Sequence, residues 1–197
     1  MKIVRLIGGS LESNGYVVYD REQGECFVID PGYDGGRFLR IIEDLGLKMK
    51  GILLTHHHYD HVGGVEEIKA ATGCPVYIHR ADAAPYKKPV NVMLADGDTL
   101  KLGDEVIKVL HTPGHTKGSV CFYSEQSKLA FTGDTVFYVE VGRVDLEGGS
   151  LDEMASSARR INKLWSDETV IYPGHGESCS MEYVRQNNPE FQYVLNL

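Results

Sequence analysis

The chain has 197 residues, 42% hydrophobic and 24% charged, the make-up of an ordinary folded protein and neither a disordered nor a fibrous one. A formal net charge of −8 with no basic block sets nucleic acid aside as a partner and leaves a small molecule as the expected ligand. The N-terminal apolar run is too short for a signal peptide, and no stretch approaches the ~18 apolar residues that span a bilayer, so no membrane association and a cytoplasmic location are expected.

Taken in chain order, the first 30 residues alternate β-rich runs (KIVRLI, GYVVYD, CFVID) with turn residues, as in a meander, and IDPG at 29–32 closes the sheet edge. In GRFLRIIEDL (36–45), Phe38, Leu39, Ile41, Ile42 and Leu45 have helical spacing, and KGILLT (50–55) reads as a short buried strand. Val65 to Gly73 reads as a helix ended by its glycine, followed by the strand PVYIH (75–79). Residues 90–132 are β-rich again. A helix over 150–165 opens with Ser150 and Glu153 at capping-box spacing, TVIY (169–172) is a strand, and Ser180 to Asn187 form a short helix before Pro189. No linker interrupts this order, so one domain over 1–197 is expected, built from two αβ halves packed through their sheets. Cys26, Cys74, Cys121 and Cys179 are far apart without a CxxC pair, which predicts reduced thiols used for packing.

The stretch THHHYDHVGG (55–64) concentrates the chemistry. His56 and His58 are one residue apart and can point to one side of an extended loop, while Asp60 and His61 come from the following turn, which hints at two adjacent metal sites. Three more stretches pair a β-rich run with a glycine turn and one such ligand type: HTPGHTKGS with His115, AFTGDTVF with Asp134 and IYPGHG with His175. Imidazole and carboxylate suit zinc, iron or manganese. A lone histidine is more often a surface or satisfied core residue, the expectation for His79 and His111. His57 and Tyr59 are expected behind the ligands or facing solvent, and Gly63-Gly64 is expected to let the next helix start close to the metals.

The set T-H-x-H-x-D-H with TPGHTKGS, FTGDT and YPGHG resembles the metallo-β-lactamase superfamily, and within it the glyoxalase II-like (hydroxyacylglutathione hydrolase-like) enzymes, from IDPG to YPGHG. The resemblance implies an α/β fold of the four-layer αβ/βα sandwich type with the site at one edge of its two sheets. It implies two divalent metal ions, zinc or else iron or manganese, one held by His56, His58 and His115 and the other by Asp60, His61 and His175, with Asp134 bridging. An aspartate at position 134, where common zinc β-lactamases carry cysteine or another residue, argues against antibiotic hydrolysis.

Two adjacent metals lower the pKa of a shared water from ~15.7 toward ~7, supplying hydroxide to attack a thioester carbonyl. Asp60 and Asp134 are the catalytic candidates, Asp60 through a second oxygen that can orient the hydroxide. The resemblance implies S-lactoylglutathione or a related acyl-glutathione as substrate. VGRVDLEGGS (141–150) places Arg143 where a glutathione-binding basic residue is expected; it can pair with a substrate carboxylate or tie its own loop to an acidic neighbour. Glyoxalase II proper continues into a C-terminal helical domain that holds glutathione, whereas 22 residues follow His175 here, so weaker thiol contacts are expected. Persulfide dioxygenases, which share the fold with a single iron, are the rival enzyme class, and a non-catalytic metal-binding module is the rival outside enzymes.

Overall fold

In the computed structural model, which describes residues 1–197, the chain builds two six-stranded sheets. The first starts as an antiparallel meander of β1 (Lys2–Gly8), β2 (Ser13–Tyr19) and β3 (Glu25–Ile29). It then turns parallel through β4 (Lys48–Leu53), β5 (Val76–His79) and β6 (Val92–Leu94). Helix α1 (Gly35–Asp44) crosses from β3 to β4, and α2 (Tyr59–Val62) with α3 (Val65–Thr72) crosses from β4 to β5. Helix α4 (Arg80–Tyr86) completes the last crossover. The second sheet is antiparallel through β7 (Thr99–Leu102), β8 (Glu105–His111), β9 (Val120–Ser124) and β10 (Leu129–Gly133). After α5 (Leu151–Leu164), β11 (Val170–Pro173) lies parallel to β10 and pairs with the two-residue β12 (Cys179–Ser180). Helices α6 (Met181–Asn187) and α7 (Pro189–Leu195) end the chain.

Three apolar clusters hold the layers together. Tyr16, Val18, Phe27 and Leu53 of the first sheet meet Ile107, Val109, Phe122 and Phe131 of the second in the central layer. The alternate residues Val17, Cys26, Val28 and Ile52 face outward onto Phe38, Ile42, Val65 and Ile68 of the helices. Cys121, Ala130 and Ile171 do the same against Met154, Ile161, Val184 and Phe191. Period-two side-chain alternation thus feeds two cores at once, which is why β2 is buried along its whole length. This is the four-layer αβ/βα sandwich expected from the motifs. No helix is long and apolar enough to cross a membrane. All four cysteines are free; three are buried and Cys179 is half-buried.

The local signals hold where the chain obeys them and fail where packing intervenes. Gly73 ends α3 in the left-handed conformation at φ 66°, its N–H bonded to the Lys69 carbonyl. The capping box at α5 is only half formed: Ser150 Oγ accepts the Glu153 N–H at 3.4 Å, but the Glu153 carboxylate pairs with Lys117. The Ser150 N–H goes to the Gly114 carbonyl at 2.8 Å instead. Pro189 closes one helix as expected and also opens another. It sits in the first turn of α7, where its missing N–H costs nothing, and Asn188 caps that helix through the Phe191 N–H.

Candidate metal centre

Four strands of the two sheets, β4, β8, β10 and β11, run out at one edge of the sandwich, and the four ligand-bearing turns follow them directly. Strand β4 leads into His56, His58, Asp60 and His61; β8 leads into the loop with His115; β10 and β11 deliver Asp134 and His175. Thr55 N–H and Thr55 Oγ1 bond to the Asp30 carboxylate at 2.8 and 2.6 Å, so the end of β3 anchors the motif that leaves β4. Gly63 packs on the turn after β3: a Cβ there would lie 2.2 Å from the Gly32 carbonyl oxygen. The adjacent Gly64 N–H bonds to the Pro31 carbonyl at 2.7 Å. The glycine pair therefore seats the motif against IDPG as well as starting α3 nearby.

All seven sequence-selected residues converge. His56, His58 and His115 form one group with ligand atoms within 4.8 Å of one another, and Asp60, His61 and His175 form a second. Asp134 lies between them, with one carboxylate oxygen 3.4 Å from His61 Nε2 and the other 3.5 Å from His115 Nε2. His175 Nε2 stands 3.2 Å from the Asp60 carboxylate and 3.6 Å from that of Asp134.

Groups behind the ligands set which ring nitrogen faces the centre. His56 Nδ1 donates to Thr55 Oγ1 at 3.0 Å and His61 Nδ1 to Asp30 at 3.1 Å. His115 Nδ1 donates to the Arg143 carbonyl at 2.8 Å and His175 Nδ1 to the Leu11 carbonyl at 3.0 Å. In each of these four rings Nδ1 is committed to that partner, so Nε2 is the nitrogen presented to the centre, free to ligate a metal that displaces any proton on it. His58 points Nδ1 inward, 2.9 Å from His115 Nε2. Asp30 also approaches His56 and His61 as a ligand would, but its two oxygens are occupied by Thr55 and His61, so it holds ligands from behind.

The donor set fits divalent cations. His56 Nε2, His61 Nε2 and one oxygen of Asp134 are buried without any hydrogen-bond partner, three orphaned ligand atoms at one place in a fold that satisfies most others. Burial and the neighbouring imidazoles His61, His115 and His58 hold His56 well below the ordinary histidine pKa. His58 is pushed down to about 4, first by burial and then by His115. Burial also opposes a proton on His61, but the carboxylates of Asp134, Asp30 and Asp60 outweigh it and raise its pKa well above the usual value. Burial would raise the Asp60 pKa, yet the imidazoles of His175 and His61 beside its carboxylate hold it far below the carboxylate range. Asp30, Asp60 and Asp134 cluster around His61 and His175, so this half of the centre favours a positive charge.

A cleft of about 1190 Å³ opens over the centre, with His58, Asp60, His115, Asp134 and His175 on its floor and Arg143 on its wall. Arg143 is exposed and its guanidinium makes a two-pronged pair with Asp145, both bonds 2.8 Å. Its backbone carbonyl, not its side chain, touches the ligand set. The two histidines set aside from the site stack on each other at 4.1 Å, His79 capping α4 and His111 bonded to the Lys117 carbonyl. His57 lies behind the ligands, its Nδ1 2.8 Å from the buried Asp82 carboxylate. Asp82 also accepts from Thr116 Oγ1 and the Gly118 N–H, tying the loop of His115 to that of His58. Sequence reading missed Asp30 and Asp82 as parts of the site; IDPG marked only a turn, and Asp82 carries no local signal.

Comparison with known proteins places the chain among metallo-hydrolases. The chain is 30% identical over 206 residues to the probable metallo-hydrolase YqgX of Bacillus subtilis, covering 96% of this chain and 97% of that one. It is 39% identical over 169 residues to a hydroxyacylglutathione hydrolase of Cereibacter sphaeroides, covering 86% of this chain but 64% of that enzyme. Among solved structures, TTHA1623 in a di-iron-bound form superposes with a TM-score of 0.84 at 34% identity, over 94% of this chain and 98% of that one. The B3 metallo-beta-lactamase BLEG-1 superposes at 0.87 with 27% identity, over 98% and 100%. Residues 8–175 match the metallo-beta-lactamase superfamily, and the chain belongs to it.

Proposed function

We propose that the protein is a metal-dependent hydrolase of a thioester, with S-lactoylglutathione or a related acyl-glutathione as the first substrate to consider. The observation that carries this reading is the position of Asp134 between a group of three histidines and a group of one aspartate and two histidines. His56, His58 and His115 would hold one divalent cation and Asp60, His61 and His175 the other, with Asp134 shared; zinc, iron and manganese all suit these donors. Such ions supply an activated water at neutral pH and polarise a carbonyl.

The chain's own groups do the rest. The carbonyls and carboxylate behind the histidines fix which nitrogen faces inward, and Asp60, which stays ionised, has oxygens on the cleft floor that can accept a hydrogen bond from an attacking water. In the net reaction a C–O bond forms, the C–S bond breaks, and a carboxylate, a thiol and a proton are released. Arg143 is the cleft-lining cation that can meet a substrate carboxylate, in competition with Asp145. The hydroxyacylglutathione hydrolase relative supports the thioester, and the di-iron form of TTHA1623 supports two metals.

The test is metal analysis joined to a hydrolysis panel. Two metals per chain and S-lactoylglutathione hydrolysis that a chelator abolishes are expected, and Asp134→Ala should lose both metal and turnover, by more than about 100-fold. One metal per chain with oxygen uptake on glutathione persulfide would replace this reading by a dioxygenase. Preferential cleavage of a β-lactam, the reading BLEG-1 offers, would replace the substrate class.

A further inference from the structure

The cleft has two unlike regions. Its floor is the charged centre, and its wall is apolar: Phe137, Tyr138, Val139, Val144, Leu146 and Tyr193 all line it. The apolar surface starts at the ligands themselves, since the Phe137 ring stands edge-on to that of His175 with centroids 6.1 Å apart. Tyr138, Leu146 and Tyr193 keep a large share of their surface exposed. Isolated exposed apolar residues are ordinary, but a run of them continuous with a polar centre in a concave site marks a ligand surface.

That wall is held in shape from behind. The fully buried Asn188 donates to the carbonyls of Phe137 and Glu140 at 2.9 and 2.8 Å, and Glu190 accepts the Val141 N–H at 2.9 Å. Tyr138 is braced by Tyr183, stacked at 5.7 Å. Helix α7 thus fixes the loop that presents Phe137, Tyr138 and Val139, and a ligand meets a surface already ordered, with little entropy left to lose on binding.

Charge points the same way. Arg143 is the one lysine or arginine lining the cleft, and Asp145 already takes both prongs of its guanidinium. Glu140 and Glu190 line the same wall. A thiol arm with a net negative charge, as glutathione has with its carboxylates outnumbering its ammonium, gains little there.

We propose that the cleft selects thioesters by an uncharged apolar arm, an acyl chain or arylalkanoyl group laid along the wall of Phe137, Tyr138, Val139, Val144 and Leu146, with anionic thiols as poorer substrates. The proposal rests on the thioesterase reading for its reaction and on the wall for its specificity.

The metal-loaded protein is to be assayed with S-lactoylglutathione and with the acetyl and octanoyl thioesters of N-acetylcysteamine, an uncharged thiol. The octanoyl thioester should exceed the other two in kcat/KM by at least about tenfold, within the range hydrophobic pockets reach. Leu146→Asp, at an exposed position, should fold with unchanged metal content and lower the octanoyl-to-acetyl ratio at least about threefold. Calorimetry with S-octyl-N-acetylcysteamine and S-methylglutathione, neither of which can be hydrolysed as a thioester, gives a readout independent of turnover. Binding of the first and not the second is expected. Equal or stronger binding of S-methylglutathione, or a chain-length ratio unmoved in the variant, overturns the proposal. Binding of the octyl thioether with no hydrolysis of any thioester overturns the thioesterase reading and leaves the apolar subsite standing.

Discussion

Asp30 Oδ2 accepts hydrogen bonds from His61 Nδ1 at 3.1 Å and from Thr55 Oγ1 at 2.6 Å, and Thr55 in turn receives His56 Nδ1. One buried carboxylate therefore orients a histidine in each candidate ligand group, with both its oxygens already taken by Thr55 and His61. Asp30 holds this place with φ at 46°, a left-handed conformation that costs a non-glycine residue strain, here at a residue that aligns ligands. Asp30→Asn should keep the fold and reduce metal affinity by about 10–100-fold, the usual effect of losing a partner behind a ligand. Competition with a chromogenic chelator measures it; an affinity equal to wild type would remove Asp30 from the centre.

Gly174 is required by space. A Cβ there would lie 2.2 Å from an Asp134 carboxylate oxygen and 2.6 Å from His61 Cε1. Gly174→Ala should therefore move Asp134 or His61 and cost metal without a large loss of fold. The expected result is less than the wild-type metal stoichiometry by elemental analysis, with a far-ultraviolet circular dichroism spectrum like that of wild type.

Asp82 ties two ligand loops together through four donors: the His57 N–H and Nδ1, Thr116 Oγ1 and the Gly118 N–H. Asp82→Asn places an amide NH₂ among these donors and should cost about 1–3 kcal/mol in urea unfolding at neutral pH. Burial pushes the Asp82 pKa up, but the bonds from His57, Thr116 and Gly118 outweigh it and leave the folded value below normal. A depressed carboxylate contributes its stability in full above the unfolded pKa of about 3.9 and loses it as pH falls through the lower folded value. The difference between wild type and variant should hold from pH 8 to 6 and shrink below about pH 4.

Arg143 offers a weak handle to an anionic substrate because Asp145 already satisfies it at an exposed position. Exposed pairs of this kind exchange partners with small net gain. Arg143→Ala should raise the KM for S-lactoylglutathione by no more than about threefold. Steady-state kinetics with that substrate decides; a rise of two orders of magnitude would make Arg143 the main anchor of the thiol.

The seven candidate ligands are legible in the sequence because their signal is local. Histidine or aspartate placed in a glycine turn just after a β-rich run is a property of a few consecutive residues, and four such turns repeat it at 55–61, 115, 134 and 175. The main helices and strands are legible for the same reason, since side-chain spacing belongs to the segment itself. The short α2, α4 and α7 are not: α2 has four residues, α4 carries Pro85 inside it, and α7 starts at a proline that reads equally well as a stop.

The candidate donors and the order of the layers are readable from the chain alone. Which residues stand behind those donors, and what stands over them, depends on packing between distant segments. Asp30 reaches Thr55 because β3 pairs in parallel with β4, Ile29 beside Leu53, a relationship between chain segments 24 residues apart that no local pattern records. Arg143 draws attention for its side chain, yet the fold uses its carbonyl to orient His115 and turns its guanidinium to Asp145. The apolar wall arises because Asn188 holds the loop after Asp134 from 48 and 51 residues away. Ligand chemistry is written residue by residue, whereas orientation and specificity depend on distances that exist only after the two sheets have packed.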